Sequence, residues 1–428
     1  MPVVALVQRT PCHETARQPP MSQIAPTTDD HETTFDHRTD ETIRADQFGR
    51  WDELRDRCPM QVNRTAAPRP VWYALGYDEV LTAFQDWETF SSDSLEAFEP
   101  DEAYEKKTRW IPVEIDPPMH TEYRSLISSH FGPKAIADRA DSIRDLACGL
   151  IDALAAKGQI EFVSEFAKDL PTRIFLDIMG MPIDDAPMLL AWIDSLMHTK
   201  PEDDPDFAIR LGVRRKVMGY LAGIIASRRA EPRDDLITII VSEPLKSGRT
   251  MTDEEALSMT FQLWMAGLDT VANALGYTFR YLAAHPEQRA LIVDGTVNPR
   301  EVTEEMLRVR SVVNTSRVVT ADTELGGCPV KAGDRVILST AAANRDRTEF
   351  EDADQVVFGR SPNRHIAFGA GRHRCLGSHL ARLELEIVIE EWHKRIPDYR
   401  VPGDAIITDH VGSVSGLTAL PLEWDVTD

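Results

Sequence analysis

Nowhere do the 428 residues contain an apolar run approaching the ~18–20 residues that a membrane-spanning helix requires. The short apolar start, Met1 to Val7, is closed by Gln8 and Arg9, too early for a signal peptide. The expected location is therefore the cytoplasm. Basic charge is scarce as well: 47 Lys and Arg stand against 70 Asp and Glu, a formal net charge of −23. General nucleic-acid binding needs a basic footprint, so it is excluded, as is an anionic membrane surface. Cysteine is sparse. Cys12, Cys58, Cys148, Cys328 and Cys375 are far apart, odd in number, and form no C-x-x-C. This argues against a disulfide framework or a cysteine-rich zinc site, and four of the five are expected to be inert. No strand-linked GxGxxG occurs, so no flavin or nicotinamide site is expected within the chain. Internal repeats and regular strand–helix alternation are also lacking.

What is present suffices for a large core, with 42% hydrophobic residues. Residues 1–40 are polar and aperiodic and are expected to form a disordered tail, with Met21 a second candidate start. Nothing later reads as a linker, so residues 41–428 are expected to form one domain. Val71–Leu75 reads as a strand and Tyr77–Phe84 as a short helix. Residues 91–110 read as a long charged connection. Helical periodicity is clearest over Asp141–Ala156, Leu211–Arg229, Asp253–Ala284 and Leu380–Arg395. Thr252 and Glu255 form a capping box for the third of these, and Pro286 follows its end. At ~1.5 Å per residue that helix would be roughly 48 Å long, enough to cross a domain. Glu324–Val330 and Arg335–Ser339 read as a hairpin around residues 331–334. The class is mainly α with small β-sheets.

Cys375 has unusual neighbours. Gly369, Gly371 and Gly377 surround it, Arg372, His373 and Arg374 precede it, and a helix begins after it. Glycine allows close backbone approach to a flat ligand, and cationic groups with a helix N-terminus favour a thiolate. A buried small hydrophobe, a nucleophile with a positioned base, and a heme iron ligand all remain open on these residues alone. In the long helix, Gly267, Asp269 and Thr270 interrupt an apolar stretch. A hydroxyl bonding back into its helix beside an exposed acid would explain them without chemistry.

The extended pattern is more specific. Phe368-x-x-Gly371-x-x-x-Cys375-x-Gly377 resembles the heme-binding signature of the cytochrome P450 family, and Ala266-Gly267-x-Asp269-Thr270 resembles its oxygen-activation motif. The resemblance runs from about residue 45 to the C-terminus. The closest likeness is to the soluble bacterial camphor hydroxylase group, through Ile111 to Pro118, Gly267 to Val271, Cys375 to Arg382 and Ser415 to Asp425. That group's camphor-binding tyrosine falls near Thr108 or Trp110 here, so camphor itself is not implied.

The resemblance implies heme b between a long central helix and the cysteine loop, with O2 as co-substrate. Cys375 would be the axial iron ligand, donating electron density that helps cleave O–O. Phe368, Gly369 and Gly377 would shape its loop. Thr270 would hold the reacting oxygen or a water, Asp269 would relay protons from solvent, and Gly267 would leave room for the helix to open. His120, Arg124, Arg317 and His373 fall at heme-propionate positions. Glu305 and Arg308 match the family's E-x-x-R, with Arg360 as partner, although Val356-Val357 replace the usual Phe-Asp before it. Leu95, Phe98, Trp110, Trp264, Met265, Val313 and Val414 fall at substrate-pocket positions.

The implied activity is monooxygenation of a small hydrophobic substrate, a terpenoid or aromatic compound, by hydroxylation or O-dealkylation. Electrons would come from NAD(P)H through a reductase and a 2Fe-2S or similar ferredoxin. Residues 360–383 carry five arginines and no acid, and Arg372 and Arg374 are the expected docking patch for that ferredoxin. A peroxygenase or isomerase would not need the Asp269–Thr270 pair. A non-catalytic heme sensor would not need it either, and would be expected to carry a signalling domain.

Overall fold

The computed structural model describes residues 31–38, 40–66, 69–93, 109–199 and 202–426. Seven strands matter for the site: β1 (Met60–Asn63), β2 (Val71–Ala74), β3 (Phe90–Ser91), β4 (Asn314–Val319), β5 (Thr323–Leu325), β6 (Cys328–Val330) and β7 (Arg335–Ser339). The main sheet has the order β1-β2-β7-β4-β3. Within it β2 and β7 are parallel, pairing Val71 with Arg335, while β4 and β7 are antiparallel, pairing Asn314 with Ser339.

The hairpin expected around residues 331–334 forms one turn earlier. β5 pairs with β6, Leu325 opposite Cys328, and β7 leaves to join the main sheet. Gly326 and Gly327 take φ values of 55° and 76°. A two-residue turn with positive φ at both positions matches strand twist, and this glycine pair supplies it.

Residues 31–38, within the stretch expected to be a tail, pack against the rest of the fold. The Thr33 N–H donates to Val62 O (3.0 Å) and the Val62 N–H to His31 O (2.7 Å), laying residues 31–33 along β1. Phe35 is fully buried, its ring 5.1 Å from Trp51 and 5.2 Å from Tyr73.

The helices that frame the site are α1 (Tyr77–Gln85), α2 (Met119–Ile127), α3 (Asp169–Met179), α4 (Ala186–His198), α5 (Asp253–Leu268), α6 (Thr270–Ala284), α7 (Pro299–Val309) and α8 (Ser378–Arg395). The capping box closes as expected: Thr252 N donates to Glu255 Oε2 (2.8 Å) and Glu255 N to Thr252 Oγ1 (3.2 Å). The single long helix expected over Asp253–Ala284 is interrupted at Asp269, whose φ and ψ are −114° and −37°. Pro286 begins the next helix, Pro286–Val293, where its missing N–H costs nothing. Below α6, Phe279 stacks on Phe162 (4.4 Å) and meets the edge of Trp392 from α8 (5.2 Å). This buried aromatic contact ties α6 to α8, the helix that follows the cysteine loop.

Candidate functional site

The cysteine loop is shaped by its glycines. Gly369 and Gly371 take φ values of 66° and 67°. A Cβ on Gly371 would lie 2.5 Å from Phe84 O, so the loop approaches α1 closely only because no side chain intervenes. The Cys375 N–H donates to Phe368 O (2.8 Å), which closes the loop just before α8. The Arg382 guanidinium covers the Phe368 ring at 4.5 Å. Cys375 is open to a water-sized molecule, yet its thiol lies deep enough for burial to push its pKa up. Its open side therefore faces an interior space. Burial outweighs the opposing Gly377 N–H and the charges of Arg124, Arg374 and Arg382. The loop groups favour a thiolate, as expected, and burial opposes them. The missing stabilisation is what a metal ion gives a thiol that ligates it.

The polar edge of this space is cationic. His120 and Arg124 stand four apart on α2, and the His120 ring lies 4.1 Å from that of His373. His373 lies within electrostatic reach of Arg317 and Arg124, and Arg124 of Cys375. The structure thus brings together all four residues expected at propionate positions. His120 is 2% exposed, and neither ring nitrogen has a hydrogen-bond partner. Burial, with the charges of His373 and Arg124, pushes its pKa down to about 3. His373 Nε2 is 3.8 Å from Asp116 Oδ1, too far for a hydrogen bond. Orphaned buried imidazoles among guanidinium groups are costly unless an anion joins them. This donor set fits the carboxylates of heme.

On the interrupted helix, Asp269 is buried. His198 Nε2 of α4 lies 3.2 Å from Asp269 Oδ1, and Asn273 Nδ2 donates to Oδ2 (2.9 Å). Burial pushes the Asp269 carboxyl up, but the His198 hydrogen bond and the charges of His198, His410 and Lys168 outweigh it, and the net shift is downward. The His410 ring lies 3.9 Å from that of His198, tilted by 51°. The Thr270 hydroxyl donates to Ala266 O at 3.3 Å, the back-bond that the sequence also allowed. Ala266 is exposed and Thr270 half-exposed, while Leu263, Trp264 and Leu268 are buried. One face of the helix therefore borders open space. The helix opens two residues after Gly267, at Asp269, and a Cβ on Gly267 would lie 2.5 Å from the Phe175 ring of α3. The glycine serves close helix packing.

Glu305, Arg308 and Arg360 meet in the interior. Arg308 donates all five of its N–H bonds. Two go to Glu305 (3.0 and 2.7 Å), and one each to the carbonyls of Asn344 (2.9 Å), Ala353 (2.7 Å) and Gln355 (2.7 Å). Glu305 Oε1 also accepts from Val357 N (2.8 Å) and Arg360 Nε (3.2 Å). The unusual Val356-Val357 pair still supplies its backbone to this cluster.

The pocket expectations fare unevenly. Leu95 and Phe98 lie outside the described residues. Trp110 and Met265 line one small cavity with Leu196, Met197, Arg210 and Phe261. Val313 and Val414 face each other across an isolated bridge. Trp264 is a correction: it is wholly buried against Phe261 and lines no open space. Arg372 and Arg374 are exposed, Arg372 lying 5.6 Å from the Trp87 ring centre. The other arginines of the loop region are paired, Arg360 with Glu305, Arg364 with Glu349 and Arg382 with Glu304. His198 was not found from sequence. It lies on another helix, and no local motif marks it.

The chain matches the family model described as Cytochrome P450 over residues 67–292 and 300–392. It is 33% identical over 365 residues to the probable cytochrome P450 127A1 of Sinorhizobium fredii, covering 85% of each chain. It is 34% identical over 356 residues to the steroid C26-monooxygenase of Mycolicibacterium smegmatis, covering 82% of this chain and 86% of that one. Among solved structures, that of CYP101J2 superposes with a TM-score of 0.80 at 34% identity, covering 93% of this chain and 98% of the other. That of CYP101C1 gives 0.82 at 31% identity, with the same coverages.

Proposed function

The chain belongs to the cytochrome P450 family, a heme-thiolate monooxygenase by that membership, and we propose that it oxidises a small hydrophobic substrate with electrons from a ferredoxin. The observation that carries the site is the buried, unpartnered His120 beside His373, Arg124 and Arg317, close to the Cys375 thiol. In this reading Cys375 would ligate the iron, and His120, His373, Arg124 and Arg317 would hold the propionates. Phe368, Gly369 and Gly377 shape the loop that carries Cys375. Heme held by a thiolate supplies O2 activation, with one oxygen atom entering the substrate and the other leaving as water.

The remaining chemistry falls to the protein. Thr270 exchanges its bond to Ala266 O for one to a water or the reacting oxygen. Asp269 passes protons to that position. His198 is half-buried and reaches from Asp269 toward solvent, so it reloads the carboxylate. Terpenoid or aromatic substrates suit the apolar lining given by Trp110, Phe261 and Met265, and hydroxylation or O-dealkylation is the expected outcome. Turnover with NAD(P)H, reductase and ferredoxin, compared with peroxide alone, tests the reading. Activity only with peroxide would overturn it.

For the proton path, Thr270→Ala is expected to retain heme and substrate binding while diverting reducing equivalents to hydrogen peroxide. Asp269→Asn should slow turnover about 10²-fold, the lower end of general acid–base contributions. His198→Gln keeps a hydrogen-bonding group but cannot take up and release a proton. It should slow turnover. Product yield per NADH that is unchanged in all three variants would refute these roles.

For the donor, Arg372 and Arg374 are the proposed docking cations on an otherwise acidic protein. A small acidic ferredoxin would be repelled by most of the surface and drawn to this patch. Steering of this kind raises association rates by about 10–10³-fold and is screened beyond ~10 Å at 0.1 M salt. Arg372→Glu or Arg374→Glu should slow heme reduction about tenfold at low salt, with substrate binding intact. Stopped-flow rates equal in all three proteins and independent of salt would remove the patch.

A further inference from the structure

Two of the cysteines expected to be inert meet in the fold. Cys58 caps the helix Gln47–Arg57, and Cys328 opens β6. Between them stands His31, held on β1 by the backbone bonds of residues 31–33. His31 Nδ1 lies 3.1 Å from Cys58 Sγ and 3.2 Å from Cys328 Sγ. The two thiols lie close enough to act on each other electrostatically. Both are buried, at 3% and 1% exposure, while His31 at their edge is only half-buried.

Buried structural cysteines pack among apolar atoms; these two share a ring nitrogen. The pair is also unequal. Cys58 faces Cys328, the Met60 N–H and the His31 ring, which together favour its thiolate against burial. Cys328 is pushed the other way by Cys58, burial and the nearby Glu79 and Glu324 carboxylates. One poised thiolate beside one protonated thiol is the arrangement of an attacking and a resolving cysteine.

We propose that Cys58 and Cys328 are a peroxide-responsive dithiol that closes to a disulfide, tying the N-terminal segment and β1 to the β5–β6 hairpin. The Cys58 thiolate attacks one peroxide oxygen, and the O–O bond breaks. The other oxygen leaves as hydroxide and takes a proton, giving Cys58 sulfenic acid and water. Cys328 sulfur then attacks the Cys58 sulfur. The S–O bond breaks, and the hydroxide leaves as water with the proton that Cys328 gave up, through His31. Two thiols lose two electrons, and one hydrogen peroxide becomes two waters.

The test uses the heme-loaded full chain, reduced, freed of reductant and exposed to graded hydrogen peroxide. Remaining thiols are then alkylated, and peptides are mapped without reduction. The expected result is a Cys58–Cys328 linked peptide in large excess over every other pair, reversed by dithiothreitol, with that excess lost when the protein is oxidised in urea. Cys328→Ser should give no link and a Cys58 sulfenic acid trapped by dimedone. His31→Gln should slow closure severalfold. If Cys58 stays fully alkylatable at peroxide levels that oxidise the half-buried Cys148, the proposal is wrong. The wild-type map decides this even if a variant does not accumulate.

Discussion

Cys375→Ser is expected to abolish the thiolate-type absorption of the reduced carbon monoxide complex completely, with the fold retained. The other described cysteines are differently placed. Cys58 and Cys328 are buried with His31, and Cys148 donates to Glu391 Oε2 at 3.4 Å. Among the described residues, Cys375 is the cysteine that opens onto an interior space beside the His120–His373–Arg124–Arg317 cluster. Serine matches its size and leaves the Gly371 approach to Phe84 undisturbed, so circular dichroism should not change. Absorption spectra of the reduced carbon monoxide complexes of Cys375→Ser and Cys328→Ser decide the matter. Survival of the thiolate spectrum in the first and its loss in the second would reverse the assignment.

Arg308→Lys is expected to destabilise the protein by about 2–6 kcal/mol, at about 1–3 kcal/mol for each of the two buried acceptors left without a donor. The native guanidinium uses every donor it has. An ammonium offers three, lacks the planar fork that matches Glu305, and leaves carbonyls of Asn344, Ala353 or Gln355 without a partner. Glu305→Ala should cost a comparable amount, because Arg308 and Arg360 would then face each other with no carboxylate between them. Either loss is a large part of the ~5–15 kcal/mol by which domains are stable. It should also loosen residues 344–363, the stretch that leads into the cysteine loop, and so lower heme retention. Urea unfolding followed by heme absorbance and by tryptophan fluorescence measures both effects. An unfolding free energy within ~0.5 kcal/mol of wild type in both variants would show that the cluster does not hold this region.

Much of the local structure was legible because its causes are local. The Thr252–Glu255 capping box, the β2 strand and the helices α1 and α8 formed where their patterns indicate, within a few residues. Where the reading failed, a tertiary contact or an unweighed turn decided. The long helix breaks at Asp269, where His198 from α4 and Asn273 from the next turn take the carboxylate. Gly267 reads as slack in a helix, which opens two residues later, and it also accommodates Phe175 from α3. Trp264 reads as a pocket wall but is core, because Phe261 packs on it. The β5–β6 turn was legible in the Gly326-Gly327 pair, and was misplaced because the Lys331–Asp334 stretch also carries turn residues.

The sequence by itself determined the family and the short motifs that carry the chemistry: the cysteine loop, the Asp269–Thr270 pair, the His120–Arg124 spacing and the Glu305–Arg308 pair. Each lies within a few residues of chain, where spacing fixes geometry. It also set the charge that leaves Arg372 and Arg374 as cations on an acidic protein. Only the tertiary structure decided what those residues meet. It placed His198 against Asp269, brought Arg317 and His373 to His120, gave Arg308 its three carbonyls, and joined Cys58 to Cys328 through His31. These partners come from distant elements, and their meeting depends on how helices and sheet pack around a common core, which no local pattern encodes.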